Sequence, residues 1–111
     1  MKVDIQKLGS VTILSPRGAV THEEAEKFEQ LLEDHRVRTN GRLVLELSQV
    51  PVLDSHAVEV LWDYADRQRT AGQAAKLAAV TELCREILEL TGVAPHLDMY
   101  DSSESAVRSF L

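Results

Sequence analysis

Length, composition and charge exclude several classes of protein. The chain has 111 residues, 44% of them hydrophobic, which fits one domain with a single core. Twelve lysines and arginines against eighteen aspartates and glutamates give a net charge of −6, which argues against nucleic acid or an anionic membrane as the main partner. No apolar run approaches the roughly 18 residues of a membrane span, and no signal segment is recognisable. We therefore expect a soluble, cytoplasmic protein without direct membrane insertion.

The first half of the chain predicts a β-hairpin, a helix and a buried strand. Residues 3–14 contain two short apolar runs separated by a glycine-bearing turn, which favours a hairpin. Thr21 and Glu24 have the spacing of a capping box, so a helix is predicted from Thr21 to a stop at Gly41. Residues 43–47 are almost continuously apolar, as is typical of an interior strand covered on both faces.

The second half predicts three further helices and two further strands. A helix opening at Asp54–Ser55 carries two apolar ridges, the first formed by Val58, Leu61, Trp62 and Ala65 and the second by Ala57, Val60 and Tyr64. It is followed by a strand at 76–80, a helix capped by Thr81, a strand at 97–100 and a final helix. The lone cysteine, Cys84, excludes an intramolecular disulfide and occupies a helical position typical of a core residue.

The resulting order is β-β-α-β-α-β-α-β-α. Strands that alternate with helices after the second strand need crossover connections, so most of the sheet is predicted to be parallel, with the opening strand pairing at an edge. We therefore predict a single α/β domain spanning residues 1–111, with a mostly parallel central sheet of about five strands flanked by four helices.

Signals of enzymatic chemistry are sparse. The five glycines are scattered and form no phosphate-binding loop. The histidines are His22, His35, His56 and His96; they lie in different predicted elements and lack metal-ligand spacing. Ser55 precedes His56, but neighbouring residues on a helix point about 100° apart and so do not form a nucleophile–base pair. The sequence predicts no enzyme, no metal and no cofactor.

Ser55 has two compatible interpretations. The structural interpretation is that Asp54 or Ser55 caps the second helix, and a cap at such a position contributes about 1 kcal/mol to stability. The functional interpretation is phosphorylation, because a phosphate at a helix N-terminus meets free N–H groups and the positive end of the helix dipole. Such a modification would preserve the fold and reverse the charge of a docking surface.

Several short segments follow one another in a recognisable order. They are Pro16-Arg17-Gly18, Leu43–Leu47, Val50–Ser55 leading to Val60-Leu61, Leu90-Thr91-Gly92, and Tyr100-Asp101-Ser102 with Ala106. Together they resemble the STAS family, which includes the bacterial anti-sigma factor antagonists, and the likeness covers nearly the whole chain. The resemblance implies a small α/β domain whose sheet is flanked by helices.

The resemblance also implies a function. In family members that antagonise anti-sigma factors, a partner kinase phosphorylates the serine after an aspartate, and Asp54 and Ser55 match those two positions. The unphosphorylated antagonist captures the anti-sigma factor and frees the sigma factor; phosphorylation prevents this and a phosphatase resets it. The implied role is transcription regulation through protein–protein interaction, with a serine-kinase anti-sigma factor and a cognate phosphatase as partners.

The chain departs from the family pattern directly after Ser55. Where the family commonly continues with Ser-Gly-Leu-Gly, this chain has His-Ala-Val-Glu at 56–59. Glu59 therefore places a carboxylate one helical turn beyond Ser55, on the surface that a partner would approach. The predicted partner-binding residues are Asp54, Ser55, His56, Glu59 and Asp63.

Two other functions remain open at this point. The STAS family also supplies accessory domains to lipid-transport ATPases and anion transporters, in which Ser55 would be only a helix cap. Some relatives are described as nucleotide- or small-ligand-binding modules. A weak homodimer is also left open.

Overall fold

The computed structural model describes residues 1–111 and contains five β-strands and four α-helices. The strands are β1 (Lys2–Leu8), β2 (Val11–Arg17), β3 (Leu43–Glu46), β4 (Lys76–Ala78) and β5 (Asp98–Tyr100). The helices are α1 (Glu23–Arg38), α2 (Ser55–Thr70), α3 (Glu82–Leu90) and α4 (Ser103–Arg108), and a short 3-10 helix at Ala94–His96 connects α3 to β5. The predicted order of elements is confirmed.

The strands form one mixed sheet in the order β1-β2-β3-β4-β5. β1 pairs antiparallel with β2, and every other neighbouring pair is parallel. The reason is the connections: β1 and β2 are joined by a tight turn, whereas each later strand is reached through a helix that crosses over the sheet. The prediction of a mostly parallel sheet with the opening strand at an edge is confirmed.

The helices cover the two faces of the sheet unequally. Leu43 and Leu45 face α1, α2 and α3 and belong to a core of 22 buried residues. Val44 faces the other way and belongs to a smaller group of five buried residues that includes Ala106 of α4. Successive residues of a strand point to opposite faces, so a strand covered on both sides is apolar throughout. This explains the run that predicted β3.

The predicted capping box at the start of α1 is wrong. The helix begins at Glu23, and the residue before it, His22, has a φ of 48° and makes no side-chain cap. The carbonyl of Thr21 accepts from the N–H of Glu24 at 3.0 Å, but the Glu24 carboxylate binds the N-terminal ammonium of Met1 at 3.1 Å. The His22 N–H is bound by Asp54, 32 residues away, so a distant contact replaces the local one.

The predicted burial of Trp62 is also wrong. Val58, Leu61 and Ala65 are buried as predicted, but 44% of Trp62 is exposed. Its indole ring packs edge-on against the His96 ring, with centroids 4.5 Å apart and an interplanar angle of 71°. The helix buries its faces toward the sheet and toward α1, which leaves Trp62 at the rim.

Cys84 is buried, as predicted, at the start of α3. Its Sγ donates to the carbonyl of Val50 at 3.2 Å, and Thr81 caps the helix by accepting from the Cys84 N–H at 3.3 Å. These contacts hold α3 against the loop that leads into α2. None of the helices has the length and hydrophobicity needed to span a lipid bilayer.

Candidate functional site

The site is built where the loop after β3 runs beside the loop after β2. The N–H of Gly18 donates to the carbonyl of Gln49 at 2.8 Å, and the N–H of Val20 donates to the carbonyl of Val52 at 3.2 Å. Val20 and Leu53 form a parallel bridge and are both buried. The two loops therefore continue the pairing of β2 with β3 beyond the ends of the strands. The loop after β3 then leads into α2.

Asp54 holds this arrangement together. One oxygen of its carboxylate accepts from the N–H of Ala57 at 2.9 Å, which caps α2, and the other accepts from the N–H of His22 at 2.9 Å. These two bonds, the Ala57 bond first, lower the pKa of Asp54 below its usual range. The same side chain thus fixes the helix N-terminus and ties it to the entry of α1.

Asp54→Asn is expected to lower the melting temperature at neutral pH by several degrees, because an amide has one acceptor oxygen where the carboxylate uses two. Since the pKa of Asp54 is depressed in the folded protein, its contribution is complete above the unfolded pKa and is lost as pH falls through the lower folded value. Thermal unfolding of both proteins between pH 7 and pH 3 should therefore show the difference shrinking at acid pH.

Asp101→Asn is the matched control, because that carboxylate makes no hydrogen bond or ion pair within the chain. A melting-temperature difference for Asp54→Asn that stays constant across the pH range, or that Asp101→Asn reproduces, would contradict the assignment of the cap to Asp54.

Ser55 is the first residue of α2 and is exposed. The cap belongs to Asp54, so the hydroxyl of Ser55 is free and accepts or donates no hydrogen bond within the chain. The backbone N–H groups of Ser55 and His56 also have no acceptor in the chain, as is usual in a first helical turn. The site therefore presents an accessible hydroxyl beside unsatisfied N–H donors.

The other predicted partner-binding residues divide between two directions. Glu59 is exposed one turn beyond Ser55, and Trp62 lies on the same helical stripe another turn along. His56 is exposed and Asp63 half-buried, and both line depressions shared with α1. The structure thus places Ser55 and Glu59 on the outer face and His56 and Asp63 on the side toward α1.

Trp62 is the surface residue that the sequence interpretation missed. Tryptophan is enriched at protein interfaces and in binding hot spots, and an exposed indole two turns beyond Ser55 extends the surface with apolar area. The available signal was its spacing of seven residues from Ser55, which puts both on one stripe of the helix. No group of three or more histidine, cysteine, aspartate or glutamate side chains is arranged to hold a metal ion.

The chain belongs to the STAS domain family, whose model matches residues 2–106. A candidate anti-sigma factor antagonist from Thermotoga maritima has the same fold, with a TM-score of 0.85, 23% identity, and coverage of 96% of this chain and 92% of that one. The anti-sigma factor antagonist SpoIIAA in its unphosphorylated form gives a TM-score of 0.75 at 12% identity, covering 98% and 96%. A second structure contains SpoIIAA in the phosphorylated form.

The fold also occurs inside a longer protein of another kind. The murine anion transporter Slc26a9 matches with a TM-score of 0.76 and 17% identity, covering 95% of this chain and 18% of the transporter. Curated protein sequences give no match. Identities at this level establish the shared fold.

Proposed function

We propose that this protein is an anti-sigma factor antagonist that binds a serine-kinase anti-sigma factor and is switched by phosphorylation of Ser55. The observation that carries the proposal lies at the start of α2, where Asp54 caps the helix and the Ser55 hydroxyl is free and exposed. A serine that capped the helix would lose a structural contact on modification. Ser55 has none to lose.

The surroundings favour a phosphate at this position. The free N–H groups of the first turn and the helix dipole stabilise negative charge there. Glu59 opposes it, because a like charge one turn away costs a few tenths of a kcal/mol on an exposed helix. Because the repulsion from Glu59 is small beside these favourable contacts, phosphorylation of Ser55 should leave the fold intact. It should make the outer face of α2 strongly negative.

The comparisons support this function through the fold. The antagonists that share this fold match nearly the whole length of this chain, and SpoIIAA is described in both phosphorylation states. The proposal makes the protein a non-enzymatic regulator of transcription in the bacterial cytoplasm, reset by a phosphatase. Its docking surface comprises Asp54, Ser55, His56, Glu59 and Asp63, with Trp62 added.

The direct test is phosphorylation by a candidate kinase, a purified serine-kinase anti-sigma factor from the same bacterium. Incubation with that kinase and ATP is expected to label the wild-type protein at one site, assigned to Ser55 by mass spectrometry. Ser55→Ala should take no label, whereas Ser48→Ala should be labelled like the wild type, because Ser48 is another exposed serine, in the loop that leads into α2. Label that persists in Ser55→Ala would contradict the proposal.

A transporter accessory domain is the second candidate, favoured by the likeness to Slc26a9. In that case Ser55 has no signalling role and the protein co-purifies with a membrane transporter rather than with a kinase. Affinity purification from the native bacterium separates the two functions by the identity of the partner.

A further inference from the structure

The two edges of the sheet differ in how far they are protected from pairing with another strand. Natural proteins protect a sheet edge with short strands, charged side chains, prolines or bulges. β5, at one edge, has only three residues and begins with Asp98. β1, at the other edge, has seven residues, contains no proline, and pairs with β2 at every position without a bulge. Every residue of β1 except Val3 is exposed. β1 is therefore the open edge.

The pairing of β1 with β2 determines which backbone groups of β1 are free. In an antiparallel pair, residues that exchange hydrogen bonds alternate with residues whose N–H and C=O groups point away. Thr12 of β2 donates to the carbonyl of Arg42 on the β3 side, so its partner in β1, Lys7, points away from β2. The same alternation turns Val3 and Ile5 outward, and no backbone hydrogen bond outside the strand pairing engages these three residues. β1 thus presents three free N–H and three free C=O groups.

Ile5 lies at the midpoint of this open edge. Its partner in β2, Leu14, is fully buried in the main core, but Ile5 itself is 53% exposed. A single exposed isoleucine is ordinary on a protein surface. Here it is flanked along the edge by the free backbone groups of Val3 and Lys7, so an apolar side chain and unpaired N–H and C=O groups occupy one strip.

The strip is self-complementary about Ile5. When two copies of β1 pair antiparallel with Ile5 opposite Ile5 of the second copy, all seven residues of each strand are aligned. Val3 then lies opposite Lys7, so outward residues meet outward residues, and each of the three in each copy donates one hydrogen bond and accepts one. The pairing forms six backbone hydrogen bonds and uses every free group. Gln6 lies opposite Asp4, whose carboxylate can accept from the amide, and no like charges stand directly opposite each other.

The neighbouring registers are poorer. A two-fold axis at Asp4 sets the two Asp4 carboxylates opposite each other, and like charges in that position are destabilising. Within β1 it joins only Val3 with Ile5, which gives four hydrogen bonds. An axis at Gln6 joins Ile5 with Lys7 and also gives four. The register about Ile5 is thus favoured by both hydrogen bonding and charge.

We propose that this protein forms a weak, reversible homodimer in which two β1 strands pair antiparallel about Ile5 and join two five-stranded sheets into one. Two-fold symmetry covers the same open edge on both copies and leaves the short β5 strands as the outer edges. A single strand pair is smaller than a standard stable interface, so a dissociation constant on the order of 0.1 mM is expected. β1 contributes none of the proposed docking residues around Ser55, so the dimer is independent of the proposed function.

Two measurements on the intact chain test the dimer. In sedimentation equilibrium, the average molar mass should rise with protein concentration from that of one chain toward that of two. In hydrogen exchange followed by NMR, the amides of Val3, Ile5 and Lys7 should exchange rapidly in dilute solution and several-fold more slowly in concentrated solution. The amides of Gln6 and Leu8, which are bonded to β2, should be protected at both concentrations. A molar mass that stays at one chain throughout would overturn the proposal.

Ile5→Lys locates the interface. It should weaken self-association about tenfold or more, because two ammonium groups then face each other at the axis. The variant should fold like the wild type, since the Ile5 side chain is more than half exposed, and circular dichroism checks this. Leu90→Lys is the matched control: it makes the same change of charge at a leucine on α3 that is 80% exposed, and it should leave self-association unchanged. Equal effects of the two variants would show that β1 is not the interface.

Gln6→Glu and Gln6→Lys test the register. In the register about Ile5, Gln6→Glu places a carboxylate opposite Asp4 of the second copy and should weaken the dimer, whereas Gln6→Lys should strengthen it. A register about Asp4 places position 6 opposite Lys2 and reverses both effects. That reversal would contradict the proposal. So would a chain that stays monomeric but whose β1 amides become protected when the purified anti-sigma factor is added, because the edge would then receive a strand of another protein.

Discussion

Gly41→Ala is expected to lower the free energy of unfolding by about 2–3 kcal/mol. Gly41 has a φ of 80°, where an L-residue is strained, and an added Cβ would lie 2.8 Å from Gln73 Cγ and 2.9 Å from Gln68 Oε1. Gln68 is fully buried and cannot swing away freely, because its Nε2 donates to the carbonyls of Gly41 and Ala74, both at 3.1 Å. Urea denaturation measures the loss.

Gly72→Ala is the matched control for this prediction. Gly72 has nearly the same backbone conformation, with a φ of 77°, but an added Cβ would meet nothing within 4 Å. It should therefore carry only the conformational cost of about 1 kcal/mol. Equal losses for the two variants would show that the contact with Gln68 contributes nothing.

Ser55→Asp is expected to weaken binding to the anti-sigma factor by about 30-fold or more. The aspartate adds a fixed negative charge at the centre of the docking surface, and an unpaired charge buried in an interface costs about 2 kcal/mol or more. Isothermal titration calorimetry with the purified candidate kinase measures the change. Ser55→Ala should fold like the wild type, because the free hydroxyl makes no contact within the chain, so its affinity measures the loss of the hydroxyl without an added charge.

Ser48→Asp controls for charge alone. Ser48 is exposed in the same loop but precedes the helix by seven residues, so the added charge lies outside the first turn of α2. Its effect on affinity should stay within about threefold, as for charges at an interface rim. If Ser55→Asp binds with wild-type affinity and the kinase does not label Ser55, the proposed switch is wrong.

The fold was predictable because its signals are local. The tight turn after β1, the apolar run of β3 and the cap at Thr81 each depend on residues a few positions apart, and each is present as predicted. The start of α1 was not predictable in this way. The N–H of His22, the residue before the helix, is bound by Asp54 across 32 positions, and the helix starts two residues after Thr21.

The place of Ser55 in the fold was predictable, but the orientation of the side chains around it was not. Helical spacing placed Ser55 at the beginning of α2, yet it could not decide whether Asp54 or Ser55 forms the cap. That choice depends on the loop after β2, which brings the His22 N–H to the Asp54 carboxylate. Spacing also could not show that Trp62 is exposed or that Asp63 faces α1, because both follow from how α1 and α2 pack together.

The two hydrogen bonds of Asp54 bear on how a modified Ser55 would be sensed. They fix the first turn of α2 and tie it to the entry of α1, so a phosphate would change the electrostatic potential of the surface while its shape stays the same. Screening shortens the reach of that potential, from about 10 Å at 0.1 M salt to about 3 Å at 1 M. The partner's discrimination between the two forms should therefore narrow as ionic strength rises, which a switch based on a moving loop would not do.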